Sequence, residues 1–268
     1  MTEAEILLER DGGVLTIVLN RPQKLNALTP NMFENEIPQI FSDARKDNSV
    51  KVLIITGAGN GFCSGIDVGS VGNRRQQEKD MSEVEQVSLR TKEVAVLISA
   101  ITSIEKPVIA AINGTAVGVG ISLALHSDMR FASDKARFSF AFVSRGIIPD
   151  CGATYALPRL VGSARALEIM ITGDMISAQE ADRIGLVNRV FPHEQLLPEV
   201  KALAERIAAG PGTAISLTKK ALNRSPENTI LDQLELEVSY NAMCHRTHDY
   251  REGVNAFLEK RKPNFTGK

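Results

Sequence analysis

This sequence predicts an α/β fold followed by a helical C-terminal region, on three observations. Short apolar runs rich in Val, Ile and Leu alternate with segments whose apolar residues recur at helical spacing, as strands and helices taken in turn would. Glycine-rich turns, at 56–67 and 113–120, follow two of the apolar runs. Beyond Val190 no strand pattern is evident, while helical spacing continues.

Taken in order, the Gly12-Gly13 turn and the run Val14–Leu19 predict a hairpin over 5–19, which Arg21-Pro22 ends. Phe33, Ile37, Ile40 and Phe41 mark a helix over 31–44 despite Pro38, and 50–56 reads as a buried strand. A helix over 81–104, a strand at Val108–Ile112, a helix from Gly118 and short strands near Met129 and Arg137 repeat the alternation. Segments 195–209, 213–222 and 228–244 read as helices. The expected organisation is therefore a core over 1–194 and a helical packing or oligomerisation region over 195–268. The stretch 107–125 lacks any formal charge and approaches the length of a membrane span, but Asn113, Gly114, Gly118 and Gly120 divide it into strand, turn and helix.

Composition narrows the function classes. Hydrophobic content of 43% and charged content of 24% are those of a globular protein. A net charge of -1 and the absence of Trp give no basic field or aromatic platform for nucleic acid. Three widely spaced cysteines, Cys63, Cys151 and Cys244, point to a reducing compartment, and the expected location is the cytoplasm. The acidic start Met-Thr-Glu-Ala-Glu-Ile does not read as a signal peptide, nor the final Thr-Gly-Lys as a peroxisomal address.

The 56–67 turn resembles a dinucleotide fingerprint at first sight, but Gly57 and Gly59 would require a glycine where Phe62 stands. The 113–120 turn opens a helix and has no P-loop lysine. Glycines here let backbone N–H groups approach an oxygen closely, and two such turns can form an oxyanion hole; each alone is equally an ordinary strand-to-helix turn. Asp150, in the Ile-Ile-Pro-Asp-Cys-Gly turn before a helix start, is either a cap or a base on residue type and spacing.

Several motifs together are similar to the enoyl-CoA hydratase/isomerase (crotonase) superfamily. They are Arg21-Pro-Gln-Lys-Leu-Asn-Ala-Leu28, Phe62-Cys-Ser-Gly-Ile-Asp67, Ile112-Asn-Gly-Thr-Ala-Val-Gly-Val-Gly120, Asp128, Thr172-Gly-Asp174, and Ala178-Gln-Glu-Ala-Asp-Arg-Ile-Gly-Leu-Val187. The resemblance spans about residues 6–265 and implies a spiral core of ββα units with a C-terminal region that trimerises, usually into a hexamer of two trimers. It implies an acyl-CoA thioester substrate and no separate cofactor or metal, coenzyme A arriving as part of the substrate. By motif position, the thioester oxygen would sit between the N–H groups of Ile66 and Val119, the latter between Gly118 and Gly120. Lys24 would lie near the CoA phosphates, Ala27 and the segment Ser64, Gly65, Ile66, Asp67 around adenine and pantetheine, and Phe257 and Lys260 would complete the nucleotide site, often from a neighbouring subunit. A solvated Lys24, a capping Asp67 and a core Phe257 are the plain alternatives.

The resemblance also carries a departure. Hydratases of the family hold water between two glutamates, at positions occupied here by Ser122 and Phe142. Asp150 instead matches the acid of 3-enoyl-CoA isomerases, with Ile-Pro-Asp-Cys-Gly most similar to bacterial phenylacetate-pathway isomerases; dienoyl-CoA isomerases carry two further acids. The expected activity is isomerisation of an acyl-CoA double bond between the 3 and 2 positions, with Asp150 as proton shuttle. Phe140, Phe142 and Ile148 would surround it and raise its pKa. Enoyl-CoA hydration or another crotonase reaction is the alternative enzyme reading, and a weakly catalytic acyl-CoA-binding oligomer the alternative of another class. Cys151 has no His partner and reads as a buried thiol, His126 as helix packing, and His245 and His248 as a polar helix face rather than metal ligands. Arg74, Arg75 and the acidic residues after them read as a mobile loop over the acyl pocket.

Overall fold

The computed structural model describes residues 4–70 and 79–267. Arg74 and Arg75 lie outside the described residues. The predicted hairpin forms as β1 (Ile6–Asp11) and β2 (Val14–Leu19), antiparallel in register from Ile6–Leu19 to Asp11–Val14. A short 3₁₀ turn (Pro22–Lys24) and a π-turn (Met32–Glu36) lead into α1 (Ile37–Lys46). Pro38 follows directly on the π-turn, inside a backbone already helical at Glu36 and with Ile37 N–H bonded to Met32 O five residues back, so this wider turn carries the ring within the helical run.

Three strand pairs then repeat. β3 (Val52–Gly57) turns into β4 (Gly61–Cys63), β5 (Val108–Ile112) into β6 (Thr115–Val117), and β7 (Met129–Ser133) into β8 (Arg137–Ser139). The first member of each pair joins a six-stranded sheet ordered β1-β2-β3-β5-β7-β10, parallel except at β1. The second member joins a four-stranded sheet ordered β4-β6-β8-β9. Helices α2 (Glu83–Thr102), α3 (Val119–Leu125) and α4 (Ala153–Val161) follow the three pairs, so the chain advances as a spiral of ββα units. Each unit bends from one sheet to the other at a short turn, containing glycine in the first two units (Gly59, Gly114) and reading Asp134-Lys-Ala136 in the third. After α5 (Ser163–Thr172), β9 (Ile176–Ser177), α6 (Ala178–Arg183) and β10 (Arg189–Phe191) complete the sheets.

Helix α7 (His193–Ala208) crosses the expected boundary at 194/195. It buries Leu196, Val200 and Ala204 on the sheet against Val14, Val52, Ile54, Ile109, Ala111 and Phe131, so it packs as part of the core. The helices that stand clear are α8 (Gly212–Arg224), α9 (Ile230–Cys244) and α10 (His248–Leu258). Neither α8 nor α9 has a buried residue, and Ile230, Leu231, Val238, Phe257 and Leu258 are exposed. An ion pair of 2.6 Å from Lys219 to Asp128 ties α8 to the core. Asp249 is buried and accepts from Thr266 N–H (2.8 Å) and Gly267 N–H (2.9 Å), fastening the tail to the start of α10. Among the described residues no helix is long and apolar enough to cross a membrane.

Candidate active site

The turn between β3 and β4 is held by two side-chain amides. Asn26, fully buried at φ 57°, donates to the carbonyls of Ala58 (2.9 Å) and Gly61 (2.7 Å) and accepts from Arg21 N–H (2.8 Å). Asn113, from the β5–β6 turn, donates to Gly59 O (2.8 Å) and accepts from Gly57 N–H (3.1 Å). Beyond β4, Leu28 N–H donates to Gly65 O (2.7 Å) and Asp67 N–H to Leu28 O (2.9 Å), bridging Leu28 to Ile66 in parallel fashion. In such a bridge the middle residue's own N–H faces away from the partner strand, so Ile66 N–H is directed outward from Leu28.

At the second turn Gly118 adopts φ 56°, ψ -127°, a conformation reserved to glycine, and the chain enters α3 at Val119. As the first residue of the helix, Val119 carries one of the N–H groups that no intrahelical carbonyl can satisfy. The two turns touch through backbone. A Cβ on Gly65 would lie 3.1 Å from Val117 O and 3.7 Å from Val119 N, and one on Gly120 would lie 2.1 Å from Cys63 O. Bare glycines thus bring the segments carrying Ile66 and Val119 side by side, each with an amide free to bind an oxygen.

Asp150 sits on a third turn, directly before α4. Cys151 and Gly152 both have left-handed backbones, φ 50° and 72°; for Cys151 this costs about 1–2 kcal/mol. Ala153 N–H donates to Asp150 O (3.0 Å), Ser122 Oγ lies 3.4 Å from that same carbonyl, and His126 Nε2 lies 2.8 Å from Cys151 O. The Asp150 residue is open to solvent on one side, yet protein crowds the carboxyl on the others. This desolvation raises its pKa above the ordinary aspartate value, against a smaller opposing hydrogen bond with Cys151. The Cys151 thiol is driven up by burial and by the adjacent carboxylate, so it stays protonated and is no nucleophile near neutral pH.

Ser122 is fully buried on α3, and Phe142 is buried with its ring tip 4.0 Å from where a Gly118 Cβ would stand. Phe140 is buried too. Ile148 is not part of this apolar surround. Its side chain is 78% exposed, because the turn after Gly146 carries it away from the core.

Lys24, Ala27, Ser64, Gly65 and Asp67 form one continuous patch around Ile66. Lys24 O accepts from Ser64 Oγ (3.0 Å) and Ala27 N–H (3.1 Å), leaving the Lys24 side chain exposed. Asp67 accepts from Arg21 (2.7 Å) and Gly69 N–H (3.0 Å), and the Arg21 hydrogen bond, then that of Gly69, holds its carboxyl below the usual range. Phe257 and Lys260 are not part of that patch within one chain. Phe257, 83% exposed, lines a cavity of about 400 Å³ among Pro211, Cys244, Tyr250, Val254 and Phe265, and Lys260 follows the end of α10. Nor do His245 and His248 share a helix face: His245 caps α9, its ring centroid 4.4 Å from that of Tyr250, and His248 opens α10. Sequence reasoning gave Arg21, Asn26 and Asn113 no role and His126 only a packing one, although a polar residue flanking an apolar run at a turn was the available signal.

The chain matches the family model described as enoyl-CoA hydratase/isomerase over residues 9–268. It belongs to the enoyl-CoA hydratase/isomerase family. It is 38% identical over 263 residues, 98% of each chain, to 1,2-epoxyphenylacetyl-CoA isomerase from Escherichia coli. It is 39% identical over 269 residues, all of both chains, to crotonyl-CoA hydratase from Syntrophomonas wolfei. Among solved structures, enoyl-CoA hydratase from Bacillus anthracis superposes with a TM-score of 0.89 at 34% identity, covering 99% of this chain and 100% of that one. The family's fold is the ββα spiral described above, and the protein is an enoyl-CoA hydratase/isomerase family enzyme; isomerase and hydratase names both occur among these relatives.

Proposed function

We propose that this family member is an acyl-CoA isomerase that moves a double bond from the 3 to the 2 position of a CoA thioester. The thioester oxygen lies between Ile66 N–H and Val119 N–H. Asp150 removes a proton from C2, the electrons pass into a dienolate whose charge rests on that oxygen, and the same carboxyl returns the proton to C4 as the carbonyl re-forms and C2=C3 is left. Each donor is worth roughly 3–4 kcal/mol of transition-state stabilisation by analogy with other oxyanion holes. Raising the Asp150 pKa brings the base nearer the acidity it must match.

One observation supports the choice of isomerisation: the two positions where hydratases of the family hold glutamates are a buried Ser122 and a buried Phe142, while Asp150 is an acid on the turn that meets Ser122 of α3, and Asp67 beside Ile66 is tied to Arg21. Hydration is the second reading, favoured by the identity to a protein named crotonyl-CoA hydratase. Lys24, Ala27, Ser64, Gly65, Gly118 and Asp67 are assigned to the CoA moiety, with Phe257 and Lys260 supplied by a neighbouring subunit of a homotrimer or hexamer. The exposed apolar side chains of α9 and α10 support that assembly. A cytoplasmic setting rests on the three cysteines, all free thiols. The deciding experiment offers 3-enoyl, 2-enoyl and ring-epoxide acyl-CoAs and follows product mass and double-bond position. An isomer keeps its mass and a hydrated product gains water. Exchange of C2 protons with solvent deuterium distinguishes either enzyme from a mere binder.

A further inference from the structure

The turn that carries Asp150 is fastened to α3, the same helix that begins with Val119. Ser122 Oγ faces the Asp150 carbonyl and His126 Nε2 the Cys151 carbonyl, from positions one helical turn apart on α3 and its cap. Since a carbonyl can only accept, the His126 ring nitrogen at 2.8 Å must carry the proton. Burial lowers the His126 pKa and so favours the neutral ring, in which the bond to Cys151 O selects the Nε2–H tautomer. The approach is possible only because residue 152 is glycine: a Cβ there would lie 2.6 Å from Nε2 and 2.8 Å from Cε1 of His126. Cys151 meanwhile holds a left-handed backbone that its Cβ disfavours, a conformation that persists where surrounding contacts impose it.

We infer that His126 is a positioning residue for the proton shuttle, its Nε2–H gripping the Cys151 carbonyl so that Asp150 stands at a fixed place relative to the Val119 N–H. This rests on the reading of Asp150 as the base. One short helix then sets both the oxyanion donor and the base against each other, and misplacement of a reacting group by about 1 Å is enough to cost about 100-fold in rate.

The test measures kcat and KM for 3-enoyl-CoA isomerisation, and binding of butyryl-CoA, in His126→Leu, His126→Gln, Asp150→Asn and the His126→Leu/Asp150→Asn double variant. His126→Leu is expected to lower kcat about tenfold or more while KM and butyryl-CoA affinity stay within about twofold. His126→Gln, which keeps an N–H donor at similar reach, is expected to recover kcat to within about threefold. In the Asp150→Asn background His126→Leu is expected to add nothing. A wild-type kcat in His126→Leu, equal losses in the Leu and Gln variants, lost butyryl-CoA binding, or a full further loss in the double variant would each overturn the inference while leaving the base intact. Wild-type activity in Asp150→Asn alone would remove the base assignment and this inference with it. Should His126→Leu be insoluble, Gly152→Ala displaces the ring by collision, and an unchanged kcat there overturns the inference equally.

Discussion

Gly120→Ala tests whether the approach of the two turns, and not merely their presence, makes the site. The added Cβ would fall 2.1 Å from Cys63 O, 2.7 Å from Cys63 C and 2.8 Å from Cys63 Cβ. The first two are backbone atoms of the segment that runs on to Ile66, so no side chain can swing aside. Ordinary carbon-to-oxygen contact begins near ~3.3 Å, and the turns must therefore part by about 1 Å. Overpacking of this kind costs about 1–3 kcal/mol, which lowers the melting temperature by a few degrees for a chain of this size. Separating Ile66 N–H from Val119 N–H removes at least one donor from the oxyanion, and kcat is expected to fall about 100-fold or more. Thermal unfolding and steady-state kinetics on a 3-enoyl-CoA measure the two effects, with Gly212→Ala, whose Cβ would meet nothing nearer than 3.8 Å, as control. A Gly120→Ala protein with the wild-type kcat would show that the contact between the turns does not matter to the chemistry.

Other outcomes follow from the same geometry. Because burial raises the Asp150 pKa and the base must be ionised, kcat/KM should fall as pH drops through that raised value, above the ordinary 3.8; a rate still flat below pH 3.8 contradicts the assignment. The linked stability term has the opposite sense: the fold favours protonated Asp150, so this stabilisation is present in acid and lost as pH rises through the raised pKa. Asp150→Asn should then melt no lower than wild type at neutral pH. Asp128→Asn leaves Lys219 largely buried without its charged partner and should cost about 3–5 kcal/mol in denaturant unfolding, against under about 1 kcal/mol if the pair behaves as a surface bridge. Deleting residues from Asn228 onward removes α9 and α10 and should yield monomers or insoluble protein; a truncated chain sedimenting as a trimer would contradict the assembly.

The long elements were legible because their signals are local. Val14–Leu19, Val108–Ile112 and the helix now bounded as Glu83–Thr102 declare themselves by apolar spacing, and Ser82 closes the start of the last with a capping box. Of the second sheet only β8, the short strand near Arg137, is legible; β4, β6 and β9 are two or three residues long and exist only through pairing with their neighbours. The two segments carrying Ile66 and Val119 could be named from glycine placement. What no local pattern can express is the contact between them, which depends on Gly120 meeting Cys63 across the fold. Likewise a histidine in an apolar helix reads as packing until the Cys151 carbonyl is seen opposite its ring. The amphipathic pattern of α7 does not say which neighbour its apolar stripe meets, so its place on the sheet is visible only in the packing of Leu196, Val200 and Ala204.

The central claim, one aspartate moving one proton along an oxyanion-held dienolate, is tested most directly by Asp150→Asn beside the wild type on a 3-enoyl-CoA in deuterated water. The wild type should give a 2-enoyl product that gains only the mass of exchanged deuterium, and Asp150→Asn should lose about 100-fold or more in rate while binding saturated acyl-CoA as before. Undiminished isomerisation by Asp150→Asn, or a wild type that hydrates 2-enoyl-CoA and isomerises nothing, would contradict it.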